Sequence, residues 1–164
     1  MFLLRRAGEK WKSPGILLLV SMDDNREWQK WLATVLQSFA CQAGTLHRTD
    51  ESGERLRLVA QVGVPDVLWD KIALIPFGKG IAGVAAATRR PVELCNLQQD
   101  LGGVAEPAAR QTGVSGSLAV PVLSLGGERV LGTLGIGKSV PYSFSVEEQA
   151  RLSELAMEAA RQWE

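Results

Sequence analysis

Residues 117–137 read SLAVPVLSLGGERVLGTLGIG, and no other stretch restricts the possible fold as strongly. Leu118, Val120 and Val122 alternate along a first strand, Val130, Leu134 and Ile136 along a second, and Gly126-Gly127 supplies the turn between them. A second period-two run, RLRLVAQV, sets Leu56, Leu58, Ala60 and Val62 on one face and Arg55, Arg57, Val59 and Gln61 on the other. The turn residues DESGE precede it, so residues 43–50 and 55–63 predict another hairpin. Parallel strands would need a crossover of a dozen or more residues between each pair, so consecutive hairpins predict an antiparallel sheet. Pro121 suits a position where one side of the strand needs no pairing. Gly132, Gly135 and Gly137 leave gaps on the last strand where another element or a ligand can come close.

Two helical stripes bracket the hairpins. Trp28, Trp31, Leu32, Val35, Leu36 and Phe39 fall on one helix face, with Ser21 and Asp24 spaced as a capping box before them. Ser145 and Glu148 repeat the box before a closing stripe of Leu152, Leu155, Ala156, Ala159 and Trp163. The order is helix, hairpin, irregular middle, hairpin, helix. It predicts an α+β sandwich: a central antiparallel sheet of five or six strands, with the terminal helices on one face. The middle, residues 64–116, would then cover the other face with short helices and loops that form a pocket lid.

Within that middle, IPFGKGIAGVAAATRRPVEL carries Gly78, Gly80 and Gly83 as G-x-G-x-x-G, with Asp100 about twenty residues on, as in dinucleotide-binding loops. Such a loop needs a parallel strand before it and a long helix after it. Pro76 and Phe77 interrupt the approach, and Pro91 ends any helix by about Arg89. The glycines therefore read as geometric. Gly78 and Gly80 bend the chain into a short helix, Ile81, Val84 and Ala85 face the sheet, and Gly83 lets the helix lie close.

The totals narrow the function. A chain of 164 residues, 46% hydrophobic and 22% charged, fits one soluble domain. Lys plus Arg equals Asp plus Glu at 18 each, which removes the long-range attraction to nucleic acid or anionic membrane. Residues 1–20 are read as an extension and 21–164 as the domain; the short run Ile16–Val20 ends at Asp23 and Asp24, unlike an export signal. Two isolated thiols, Cys41 and Cys95, point to a reducing cytoplasm. With His47 as the single histidine, no protein metal site is expected.

Three segments together resemble the GAF domain, a small sensory module of many bacterial signalling proteins. They are IPFGKGIAGVAAATRRPVEL, SGSLAVPVLSLGGERVLGTLGIG and YSFSVEEQARLSELA, in order, with the likeness running over residues 24–163. The resemblance implies a pocket in front of the sheet and terminal helices behind it. Members of the family bind cyclic nucleotides, tetrapyrroles, amino-acid derivatives or no known ligand, so the cofactor stays unknown. The cyclic-nucleotide pattern fails at Gly137-Lys138 and at the spacing of Phe144 to Glu147-Glu148. The surroundings of Cys95 do not look like a tetrapyrrole attachment site. Enzyme relatives that reduce free methionine sulfoxide carry a cysteine where Ala82 stands.

On this basis the pocket candidates are Trp69, Phe77, Leu94, Asn96, Asp100, Arg110, Leu118 and Val120, apolar walls with a few polar groups. His47 could face the pocket, although a structural or exposed histidine is the plainer reading. The leading expectation is a non-catalytic sensor that binds an unidentified small molecule and signals through its terminal helices. It would do so as a homodimer, with a partner protein or a larger parent chain supplying the output. The alternatives are a dimerisation module without ligand and a divergent thiol enzyme using Cys95.

Overall fold

The structure, a computed structural model, describes residues 25–99 and 111–164. The extension at 1–20, the Ser21–Asp24 capping box, Asp100 and Arg110 lie outside the described residues. Helix α1 spans Asn25–Phe39, strands β1 and β2 Ala43–Thr49 and Arg55–Val62. A 3-10 turn at Asp66–Leu68 leads into α2 at Trp69–Ile72; β3 at Leu74–Pro76, α3 at Gly80–Thr88 and β4 at Val92–Leu94 follow. After a second 3-10 turn at Leu97–Gln99 come β5 at Gly116–Leu123, β6 at Val130–Lys138 and α4 at Val146–Trp163. The six strands form one sheet in the order β3-β2-β1-β6-β5-β4, and every pairing is antiparallel.

The terminal helices cover the back of this sheet. All six stripe residues of α1 are buried, and α4 buries Leu152, Ala156, Ala159 and Ala160. They share one core with Leu46, Leu118, Val120, Val122, Leu134 and Ile136 of the strands. Trp28 links the two helices, meeting Trp31 edge-on at 5.4 Å and Trp163 at 5.3 Å. The helix ends are tied as well. Lys138 donates to the Phe39 and Ala40 carbonyls and Arg151 to that of Ser38, satisfying the negative end of α1. Ser145 and Glu148 form the predicted reciprocal capping box at the start of α4.

Two register shifts change the faces expected from alternation. Leu46 pairs with Ala60 but His47 with Leu58, so Val59 is a bulge residue. The bulge sends Leu56 and Leu58 to the front, while Ala60 and Val62 stay with the back core; one face for all four is thus corrected. Likewise Val122 pairs with Gly132 and Leu123 with Val130, which makes Leu131 the extra residue and moves Val130 out of step with Leu134. Pro121 has the predicted freedom: β4 pairs only with Ser117, Leu118 and Ala119, so β5 has no second neighbour further along.

Candidate functional site

The front of the sheet is covered by short elements, and between them and the strands lies a cavity of about 500 Å³. Its floor is built from small residues of β1, β5 and β6, among them Thr45, Ser117, Ala119, Gly135 and Gly137. Leu46 and Leu118 belong to the back core, so the alternate positions Thr45, His47, Ser117 and Ala119 must point forward. Ile72, Ile75, Ile81 and Val114 give the roof and walls their apolar character.

The lid depends on its glycines. Gly78 (φ +89°) and Gly80 (φ +67°) adopt left-handed backbone, and the Gly78 amide donates to the Gly83 carbonyl at 2.7 Å. A Cβ on Gly83 would lie 2.5 Å from the Pro76 carbonyl oxygen, so only glycine permits this approach. Helix α3 then runs to Thr88, where Arg89 (φ +58°) closes it two residues before Pro91. Its first turn, Gly80 to Ala82, borders the cavity together with Lys79 and Lys71. Lys79 stands at the N-cap and gives no side-chain hydrogen bond to that turn. The leading N–H groups of a helix have no acceptor within it, so this end presents donors and partial positive charge to the cavity.

His47 is the buried polar group of the site, 1% exposed. Its Nε2 lies 2.9 Å from the Ile72 carbonyl, an arrangement in which Nε2–H donates and Nδ1 is left with a lone pair. Nδ1 has no hydrogen-bond partner, and neither has Oγ1 of Thr133, its cross-strand neighbour. Burial pushes the imidazole pKa down to about 4, against a smaller opposing effect of the Ile72 carbonyl, so the ring is neutral near pH 7.

The scan of sequence families completes the picture: the GAF domain family matches residues 29–162. The chain belongs to the GAF family. A search of curated protein sequences gives no match. Among solved structures, the GAF domain of a phosphoenolpyruvate-protein phosphotransferase from Coxiella burnetii superposes with a TM-score of 0.71 at 20% identity, covering 87% of this chain and 83% of that one. The corresponding Acinetobacter domain gives 0.69 at 17% identity, over 87% and 83% of the two chains. Free methionine-R-sulfoxide reductase from Neisseria meningitidis, solved with its substrate, gives 0.69 at 20% identity over 85% and 77%. Identities this low establish a shared fold alone.

In this GAF domain the sequence-predicted pocket residues separate. Leu118 borders the cavity, yet its side chain belongs to the back core, as does that of Val120, which does not reach the cavity. Phe77 lines a second hollow of about 630 Å³ at the tips of the hairpins, beside Arg48, Arg89 and Arg129 with Asp50, Glu51 and Glu128. Trp69 is 44% exposed and donates from Nε1 to the Val64 carbonyl at 3.0 Å, outside both cavities. Leu94 on β4 and Asn96, whose Oδ1 accepts from the Gln98 amide, also lie outside them. The front cavity takes its chemistry instead from His47, Lys71, Lys79 and the first turn of α3.

The phosphate-loop reading fails on the same geometry, since β3 is a three-residue antiparallel edge strand and α3 has nine residues. The cysteines stand apart from the cavity. Ala82 lines it, whereas exposed Cys95 and half-buried Cys41 do not. Burial raises the Cys41 pKa to about 11, with Lys138 opposing and Glu148 adding to the rise. Among the described residues, no helix is long and apolar enough to cross a membrane.

Proposed function

We propose that this GAF domain is a non-catalytic sensory module that binds a small organic molecule in the front cavity. The observation that carries this reading is the cavity itself, about 500 Å³ with mostly apolar walls, Thr45 and Ser117 in its floor and Lys71 and Lys79 at its edge. Those features suit a ligand held by shape and fixed by a few hydrogen bonds. A thiol mechanism has little support, because Ala82 fills the wall where a nucleophile would stand and Cys41 is held in its protonated form.

Strand β1 connects the cavity to the helices. On its front His47 bonds the lid at Ile72, and on its back Arg48 stacks 5.2 Å over Trp163 and donates to the Trp163 carbonyl. A ligand that shifts the lid therefore has a two-residue route to the end of α4. The outer side of α4 exposes Val146, Ala150 and Met157 at helical spacing, a surface suited to a second copy and so to a homodimer that relays the change to a partner protein.

Thermal-shift screening of small organic molecules, followed by native mass spectrometry, tests the reading. A ligand bound at one per chain that alters light scattering or α4 crosslinking supports it. Turnover of free methionine sulfoxide that disappears in Cys95→Ala would replace it with the enzyme reading. A dimer that no compound stabilises would favour the scaffold.

A further inference from the structure

One row of residues crosses the sheet beneath the lid. His47 on β1 pairs with Leu58 of β2 on one side and with Thr133 of β6 on the other. Two members of the row hold successive carbonyls of the lid. His47 Nε2–H donates to Ile72 at 2.9 Å, and the Leu58 amide donates to Ala73 at 3.0 Å. The side chain of Thr133, 1% exposed like His47, makes no bond to this anchor. Its Oγ1 and the His47 Nδ1 are both buried without a partner. A buried polar atom left unpaired costs free energy that one bond recovers.

The two atoms complement each other. Directly opposed residues on antiparallel strands bring their Cβ atoms to about 5 Å, which puts the atoms beyond them within hydrogen-bond reach. Nδ1 offers only a lone pair and needs a donor, which a threonine hydroxyl is. Neither atom leaves room for a water molecule against it, so solvent cannot serve instead. On its other side Thr133 faces Pro121, which has no polar side chain. Threonine carries its hydroxyl and a methyl group of similar size on one carbon, so a turn about χ1 exchanges them without extra volume.

We propose that Thr133 is a positioning residue of the lid: its hydroxyl donates to His47 Nδ1 and holds the ring with Nε2–H toward Ile72. The same two strands meet α4 one residue away. Arg48 stacks on Trp163 there, and Gly132 lies so close to that ring that a Cβ would stand 2.8 Å from it. The lock sits where lid, sheet and closing helix come together, and it operates whether or not the cavity has an occupant.

Thr133→Val keeps the shape and removes the hydroxyl, while Thr133→Ser keeps the hydroxyl. The sign of the stability change is the first readout. A hydroxyl bonded to His47 is lost at a cost, so the folding equilibrium constant of Thr133→Val at pH 7 should fall about fivefold. A hydroxyl without a partner would instead make the valine variant more stable, and that result overturns the proposal. Because the chain has one histidine, its ¹⁵N spectrum reports a single ring. Nδ1 should resonate as a hydrogen-bonded acceptor in the wild type and in Thr133→Ser, and as a bare acceptor in Thr133→Val. The same Nδ1 position in the wild type and the valine variant would also overturn it. Exchange of the Leu58 amide, which the lid carbonyl of Ala73 protects, should quicken about threefold in Thr133→Val because the ring is freed when the lid lifts. An unchanged Leu58 amide would show that the bond does not hold the lid.

Discussion

The two faces of the sheet are built on opposite terms. Behind it, two long helices press large side chains against Leu46, Val120 and Leu134, each fully buried. In front, elements of three to nine residues arch over small ones such as Ser117, Ala119 and Gly135. Close packing makes the back intolerant of lost volume, while the front already contains space. Stability is therefore concentrated behind the sheet and adaptability in front of it, joined through strands that belong to both.

The sharpest way to break this comparison is to remove equal volumes from each side. Leu134→Ala should cost about 2–5 kcal/mol in urea unfolding, because the residue is fully buried among packed neighbours. Ile75→Ala, at the half-buried cavity roof, should cost roughly 1 kcal/mol or less, since part of its surface already borders open volume. Equal losses would mean that the front is as tightly packed as the back.

The next effect comes from acid and belongs to the front. His47 is held neutral with a pKa lowered to about 4, chiefly by burial, whereas the unfolded chain protonates near the ordinary value of 6.5. Between those values the unfolded state binds more protons, so folding stability is present above about pH 6.5 and falls as the pH drops toward 4. The loss should reach about 2 kcal/mol by roughly pH 5 and about 3 kcal/mol by roughly pH 4. Unfolding free energies measured down to about pH 5 isolate this residue, because free carboxylates titrate mostly below that range. A flat profile there would show that His47 is not sealed beneath the lid.

Much of the back was legible in the sequence, and much of the front was not. Burial against a flat sheet imposes strict periods, so the stripes of α1 and α4 and the alternation in β5 announced their partners. The cavity imposes no such period. Leu118 and Val120 are large and alternate, which is the signature of the core side; the cavity floor was marked instead by the small residues between them, Ser117 and Ala119. His47 could have been placed by the same rule, because Leu46 in a core-facing position sends its neighbour forward. The bulges at Val59 and Leu131 could not, since an extra residue exchanges the faces without leaving a pattern in composition. The glycines of the lid were readable as turns because their role is conformational. That Lys79 and Lys71 flank the cavity depends on how the lid folds back, which no local pattern states.

A smaller effect separates the two faces by local opening. Gly83→Ala would press a Cβ against the Pro76 carbonyl and push α3 off β3, at a cost of about 1–3 kcal/mol. If the faces are as independent as their packing suggests, faster amide exchange should be confined to residues 75–89, with α1 and α4 keeping wild-type protection. Equal acceleration in α4 would show that the lid and the back core open as one unit.

The smallest pair of changes compares two helix starts. At α4, Ser145 and Glu148 satisfy the leading N–H groups from within, so Ser145→Ala should lose about 1 kcal/mol by thermal unfolding. At α3 the N-cap Lys79 has the extended backbone of a capping residue (φ −108°, ψ 129°) but contributes no side-chain bond. Lys79→Asp gives that position a carboxylate able to accept from the first turn, and should stabilise the protein by about 0.5–1 kcal/mol. The sign of this second change carries the argument. A helix whose start is completed inside the fold can only lose by mutation there, whereas one left open toward a cavity gains when the chain supplies its own anion. If Lys79→Asp destabilised the protein as Ser145→Ala does, the start of α3 would already be satisfied within the fold, like that of α4.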